Sequence, residues 1–210
     1  QSNPTLALLI RPEGVIIRIT AKASTHSEAE KMIEVVEAQV KARVGEYIYA
    51  VDDENMEEVV AKLLKDNCLT VACAESCTGG MLASRLTSIS GSSMYIKGSI
   101  VTYSNEAKMK FLDVDKEILD TKGAVSPEVA KQMAEGVRKA VGSDIGVGIT
   151  GIAGPTGGTD KKPVGLVYIA VAGKDNTVVK ENVFSGDRAR VRYRSTQQAL
   201  EMIRQYIKNK

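Results

Sequence analysis

The sequence predicts an α/β protein, a three-layer domain with helices on both faces of a mixed sheet, preceded by a small α+β unit. Three observations carry this. The 210 residues are 43% apolar and 26% charged, enough for one good core, or for a medium domain with a small companion. Aromatics are 4% of the chain and tryptophan is absent, so the core must rest on Val, Ile, Leu, Ala and Met, which suits helices packed on a buried sheet. After residue 55, β-branched runs alternate with amphipathic helical patterns, and helices covering a sheet give that alternation.

The first unit spans residues 1–52, with Gln1-Ser-Asn3 set aside as extraneous to the fold. Gly14-Val-Ile-Ile-Arg-Ile-Thr-Ala21 has the β-branched density of a strand, and Leu6 to Ile10 is its partner across the Pro12 and Gly14 turn. Thr25 and Glu28 form a capping box before Ala29, Met32, Ile33, Val36, Val40 and Val44, which recur at helical spacing as far as Gly45. Tyr47-Ile-Tyr-Ala-Val51 reads as a further strand. The acidic stretch Asp52-Asp-Glu-Asn55 marks the boundary, and the second unit runs over 53–210.

In the second unit Met56, Val59, Val60, Leu63 and Leu64 share one side of a helix. A strand over 69–74, a helix over 77–89, a strand over 96–103 and short helices within 105–122 follow. At Ser126-Pro-Glu128 a helix opens with Ser126 as cap, Pro127 at the first helical position and Glu128 complementing the dipole. Ile145 to Ile149 is a buried strand, Val164 to Val171 and Thr177 to Phe184 form a hairpin-like pair, and 188–207 is the closing helix.

Composition excludes several functions. A net charge of +2 is too small to argue for nucleic acid from electrostatics, and the cluster Arg188-Ala-Arg-Val-Arg-Tyr-Arg194 reads equally well as a solvated helix face. No apolar run approaches the roughly 20 residues of a membrane span and no charged-then-apolar leader opens the chain, so an unsecreted, cytoplasmic protein is expected. Cys68, Cys73 and Cys77 are odd in number and lack C-x-x-C spacing, which predicts reduced thiols and neither a disulfide framework nor a metal site. His26 is the single histidine, so a Ser-His-Asp mechanism would have to borrow it from far away.

Chemistry concentrates at two glycine-rich junctions. Glu75-Ser-Cys-Thr-Gly-Gly80 lies where a strand turns into a helix, and helix N-termini present unpaired N–H groups to negative charge. Ser76 there is a cap or a nucleophile, Thr78 shares the ambiguity, and Cys77 is a small buried hydrophobe. Gly79 and Gly80 admit a substrate, or else serve the turn. The second junction, Gly148 to Gly158, holds five glycines with Thr150 and Thr156 and is an anion cradle or a flexible loop. It matches neither G-x-x-x-x-G-K-[ST] nor a G-x-G-x-x-G opening a helix. Two such loops leaving adjacent strand ends form one crevice. A serine nucleophile without histidine can use a lysine whose neutral amine burial supplies, and Lys108, just past the second strand, is either that base or an ordinary solvated lysine. Arg188 and Arg192, four apart on one helix face, suit a phosphate, while Arg190 and Arg194 point elsewhere.

Ala74-Glu-Ser-Cys-Thr-Gly-Gly80, Val101-Thr-Tyr-Ser-Asn-Glu-Ala-Lys108, Gly123-Ala-Val-Ser126, Gly151-Ile-Ala-Gly-Pro-Thr-Gly-Gly158, Lys162-Pro-Val-Gly165 and Gly186-Asp-Arg188 together resemble the C-terminal domain of the CinA (competence/damage-inducible) family, over about residues 55 to 208. Stand-alone relatives in that family are nicotinamide-nucleotide amidases. The resemblance implies hydrolysis of nicotinamide mononucleotide to nicotinic acid mononucleotide and ammonia, with no metal or organic cofactor. It makes Ser76 the nucleophile and Lys108 its base, with Tyr103 and Thr150 lining or polarising the site and N–H groups around Cys77 to Gly79 holding the oxyanion. The substrate-binding set it implies is Cys77, Thr78, Gly79, Gly80, Asn105, Thr150, Gly151, Gly154, Gly157, Gly158, Arg188 and Arg192. The first 50 or so residues resemble the family's KH-type domain but lack the G-x-x-G loop by which RNA-binding KH domains clamp a backbone, so a structural or dimer-forming role and a homodimer are expected. Longer family members carry a further upstream domain, so the sequence looks like part of a longer chain. The alternatives are a non-catalytic nucleotide-sensing module and a nucleic-acid-binding competence protein.

Overall fold

The computed structural model describes residues 3–209 and divides into two units, Gln1–Glu54 and Asn55–Lys210. In the first, β1 (Thr5–Arg11) pairs antiparallel with β2 (Gly14–Thr20). Helix α1 (His26–Val44) starts at the expected capping box, with Glu28 N–H on Thr25 Oγ1 at 3.3 Å and Thr25 N–H on Glu28 Oε2 at 3.2 Å. The strand expected over Tyr47–Val51 does not form. The chain makes a 3-10 turn over Gly45–Tyr47 and continues without a ladder. β-branched and aromatic composition holds a strand only where a neighbour pairs with it, and Tyr47 is left exposed.

In the second unit the elements run α2 (Met56–Asp66), β3 (Val71–Glu75), α3 (Met81–Thr87), β4 (Ile96–Val101), α4 (Asn105–Leu112), α5 (Lys116–Lys122), α6 (Pro127–Val141), β5 (Ile145–Gly151), β6 (Leu166–Ala172), β7 (Thr177–Val183) and α7 (Arg188–Lys208). The sheet order is β4-β3-β5-β6-β7. β3 is parallel to both neighbours, whereas β6 is antiparallel to β5 and β7 to β6. Helices α4, α5 and α6 cover one face and α2, α3 and α7 the other, giving the three layers and mixed sheet expected.

Strand alternation assigns each side chain to a layer. Ala72 and Ala74 of β3 pack with Leu112 of α4 and with Val129, Met133 and Val137 of α6. On β5, Gly146 and Gly148 take the same face, where a Cβ would overlap the carbonyl oxygens of Ala134 and Ala130 in α6. Their glycines are thus the condition for α6 to lie so close to the sheet. The residues that continue these rows at the strand ends are Ser76 and Thr150. The sequence pattern therefore puts both side chains on the α6 face.

Candidate active site

β3 is buried along its whole length, and its C-terminal end is held on both sides. Thr102 N–H donates to Glu75 O at 2.8 Å and Ser76 N–H donates to Ile149 O at 3.0 Å. These bonds carry the parallel ladder one step past the strands, fixing Ser76 between the ends of β4 and β5. Gly79 N–H returns to Ser76 O at 3.1 Å, and Gly79 and Gly80 take φ of 60° and 91°, the region where glycine has no Cβ penalty.

Ser76 is not a helix cap. α3 begins five residues later, behind Gly80, which offers no side-chain cap. The N–H groups at its start go instead to the carboxylate of Glu75: Gly80 at 3.0 Å and Leu82 at 3.1 Å on Oε2, and Ala83 at 2.9 Å on Oε1. Glu75 is 0% exposed, and a buried carboxylate needs such donors. The expectation that this N-terminus attracts a ligand's negative charge is corrected: the protein's own anion is already there. Sequence reasoning missed Glu75. The available signal was an acid closing an otherwise apolar strand, a residue type rarely buried unless paired.

Lys108 lies on α4, whose first turn is capped by Ser104 Oγ accepting from Ala107 N–H at 3.1 Å. It is 1% exposed, and its Nζ contacts Thr102 O at 2.8 Å and Ser76 Oγ at 3.2 Å. Burial pushes the Lys108 amine below its usual 10.5. Burial likewise pushes the Cys77 thiol up to about 11, and Glu75 adds to the rise. Cys77 is therefore a neutral, inert neighbour.

The remaining candidates divide. Thr150 is 1% exposed and gives its proton to Ala124 O at 2.7 Å, so it orders the loop before α6 and has no hydroxyl hydrogen left to polarise a carbonyl. Tyr103 is 63% exposed, and its hydroxyl accepts from Arg188 Nη2 at 2.9 Å. Arg188 Nη1 donates to Gly154 O at 2.9 Å, which ties the second glycine-rich junction to Tyr103. Arg192 Nη2 donates to Thr78 O at 2.7 Å, while its Nε and the Thr78 hydroxyl are buried without a partner. Asn105 is exposed at the first position of α4. In the arginine cluster, Arg194 bonds Ser185 O and Oγ, both at 3.3 Å; with Arg188 and Arg192 also engaged, these side chains are largely occupied by the protein itself.

The anion cradle expected at Gly148 to Gly158 is corrected too. Gly148 to Gly151 belong to β5, and from Ile152 on the segment is the crown of an antiparallel hairpin, with Ile152 N–H on Leu166 O and Gly165 N–H on Ile152 O, both at 2.8 Å. Its glycines answer to the opposite limb. A Cβ on Gly151 would stand 2.6 Å from Val167 Cγ2, one on Gly154 2.5 Å from Val164 Cγ1, and one on Gly158 2.8 Å from Val164 N. At Gly157 a Cβ would meet only an ordinary contact, 3.7 Å from Ile152 Cγ2.

A separate hollow of about 390 Å3 lies at the β6–β7 turn, beside Lys131, Arg138 and Asp175. It shares no residue with the Ser76 cluster. Among the described residues, no three His, Cys, Asp or Glu side chains stand together as a metal site, and no helix is long and apolar enough to cross a membrane.

Fold and cluster define the class: a three-layer α/β protein with a buried serine–lysine pair where its parallel strands end. Residues 53–207 match the CinA C-terminal domain, and residues 1–50 match the KH domain of damage-inducible protein CinA. The chain belongs to the CinA family. It is 52% identical over 206 residues to a protein of Thermoanaerobacter sp. (strain X514) named as competence-damage inducible, covering 98% of this chain and 50% of the relative. It is 47% identical over 209 residues to a CinA-like protein of Dictyoglomus thermophilum, covering 100% and 51%. The chain thus spans about half the length of the curated relatives it matches. Among solved structures, the competence/damage inducible protein CihA of Agrobacterium tumefaciens superposes with a TM-score of 0.68 at 40% identity, over 73% of this chain and 96% of that one. A CinA superfamily protein of Escherichia coli gives 0.70 at 33% identity, over 76% and 94%.

Proposed function

We propose that the chain is an amidase that hydrolyses the carboxamide of nicotinamide mononucleotide to nicotinic acid mononucleotide and ammonia, acting as a cytoplasmic homodimer. The observation that carries the reading is the Ser76–Lys108 contact of 3.2 Å in a buried setting, which suits a nucleophile and its base. The substrate itself follows from the family resemblance.

Lys108 in its neutral form takes the Ser76 proton as Oγ attacks the amide carbon, and the bond from Lys108 to Thr102 O keeps the amine turned toward Ser76. The tetrahedral oxyanion falls to the N–H groups of Cys77 and Thr78, because those of Ser76, Gly79 and Gly80 are committed within the fold. The lysine ammonium then protonates the leaving nitrogen, ammonia departs, and an ester remains on Ser76. Water attacks that ester, gives a proton to Lys108, and releases the carboxylic acid and the serine.

The distribution of charge supports a substrate with an anion remote from its amide. Ser76, Lys108 and Thr150 gather on the α6 face, whereas Arg188 and Arg192 reach the same strand ends from α7. Arg192, with a buried Nε lacking a partner, is the better phosphate ligand of the two, and the exposed ring of Tyr103 flanks the base.

The test is ammonia release from nicotinamide mononucleotide. The native protein turns over, and Ser76→Ala and Lys108→Met lose on the order of 10³-fold or more in kcat while keeping native circular dichroism. A folded native protein that binds the nucleotide without turning it over would replace this reading with the nucleotide-sensing one.

A further inference from the structure

We infer that Lys162 is a positioning residue of this site, a clamp that fixes the loop between α5 and α6 as the wall facing Ser76. The inference rests on the amidase reading for its substrate, and on geometry for the clamp.

Lys162 belongs to the hairpin crown. Its own turn is rigid: Thr159 N–H donates to Lys162 O at 2.8 Å, and Lys162 N–H donates to Thr159 O at 3.1 Å. From there the ammonium reaches Lys122 O at 2.6 Å and Val125 O at 2.7 Å. Lys122 is the last residue of α5, so its carbonyl has no helical partner and faces the negative end of the helix dipole, where a cation is favourable. Val125 immediately precedes the cap of α6.

The two carbonyls between them are held as well. Ser126 Oγ donates to Gly123 O at 3.1 Å and Thr150 Oγ1 to Ala124 O at 2.7 Å. Four successive carbonyls, from Lys122 to Val125, are therefore satisfied by side chains and not by regular structure. A loop pinned in this way has one shape while its donors stay and several once they leave. It is seated on the α6 face through Thr150, one residue past Ile149, whose carbonyl accepts the Ser76 N–H. This loop is thus a wall of the space in front of the nucleophile, and Lys162 closes it from the far side. A wall that holds substrate and transition state alike contributes uniform binding, and loosening it raises KM while kcat stays.

The experiment compares Lys162→Met, which keeps the stem and removes the charge, with Lys162→Arg. The readouts are kcat, KM and calorimetric Kd for nicotinamide mononucleotide, amide hydrogen exchange, and melting temperature. The expected result for Lys162→Met is a KM and Kd raised on the order of tenfold, kcat within about twofold, and faster exchange confined to the 122–126 and 159–162 segments, with Lys162→Arg recovering much of the loss. Unchanged KM, Kd and exchange would overturn the inference. So would a fall in kcat alone, or exchange rising throughout the unit with a lower melting temperature. If the native protein shows no turnover, the amidase reading fails, while exchange in the two segments still decides the clamp.

Discussion

Lys108 carries its charge at a cost, since an amine 1% exposed has lost most of the water that would stabilise an ammonium. Burial is the first cause that lowers its titration below 10.5, which makes the neutral, base-competent amine more accessible than in a solvated lysine. The ascending limb of kcat/KM against pH therefore lies below the ordinary lysine range. Stability must follow with a definite sign. The unfolded chain keeps this proton up to about 10.5, so between the lowered folded value and 10.5 it binds more protons than the folded state, and stability rises with pH through that window. Below the window the penalty stands in full. Urea melts of Lys108→Met should accordingly show a variant more stable than the native protein at pH 7, with a difference that shrinks toward pH 10; a widening gap would contradict the assignment. At this scale the sequence is a poor guide by itself. Position 108 alone describes a solvated lysine on a short helix, and only the chain topology that brings it 32 residues back to Ser76 gives it a partner.

At the scale of elements, what was legible was what is local. The Thr25–Glu28 box and the Ser126-Pro127-Glu128 start depend on contacts within one turn, so their residue types suffice to announce them. α3 was misread because its start is governed from outside the helix. Its amides bind Glu75, between five and eight positions upstream, and hydroxyls and glycines in between imitate a cap. The glycine-rich hairpin was misread for a related reason: its glycines make room for Val164 and Val167 across the turn, partners a linear pattern does not reveal. Glu75→Gln tests the first point, because one amide end must present hydrogens to N–H groups that already need an acceptor. A loss of about 1–3 kcal/mol in urea melts, together with reduced kcat through a displaced Ser76 turn, is expected. Native stability in this variant would show that the carboxylate is not the anchor.

Across the molecule, core and chemistry are unevenly divided. Among the described residues none in Gln1–Glu54 is buried, and Leu8, Ile10 and Val15 are 65%, 88% and 61% exposed. A two-stranded hairpin with one helix is marginal in water. The Asn55–Lys210 unit holds the buried core and the whole Ser76 cluster. Expressed separately, 55–210 should melt cooperatively and turn over nicotinamide mononucleotide, whereas 1–54 should give no cooperative melt by circular dichroism. Turnover lost from a folded 55–210 would mean the small unit takes part in the chemistry.

The Glu75 carboxylate also decides what cannot enter. A bare helix start beside a reactive alcohol would collect any small free oxyanion from its surroundings, and in a medium rich in inorganic phosphate that berth would seldom stand vacant. With a resident acid filling it from within, the start of α3 offers such competitors no berth.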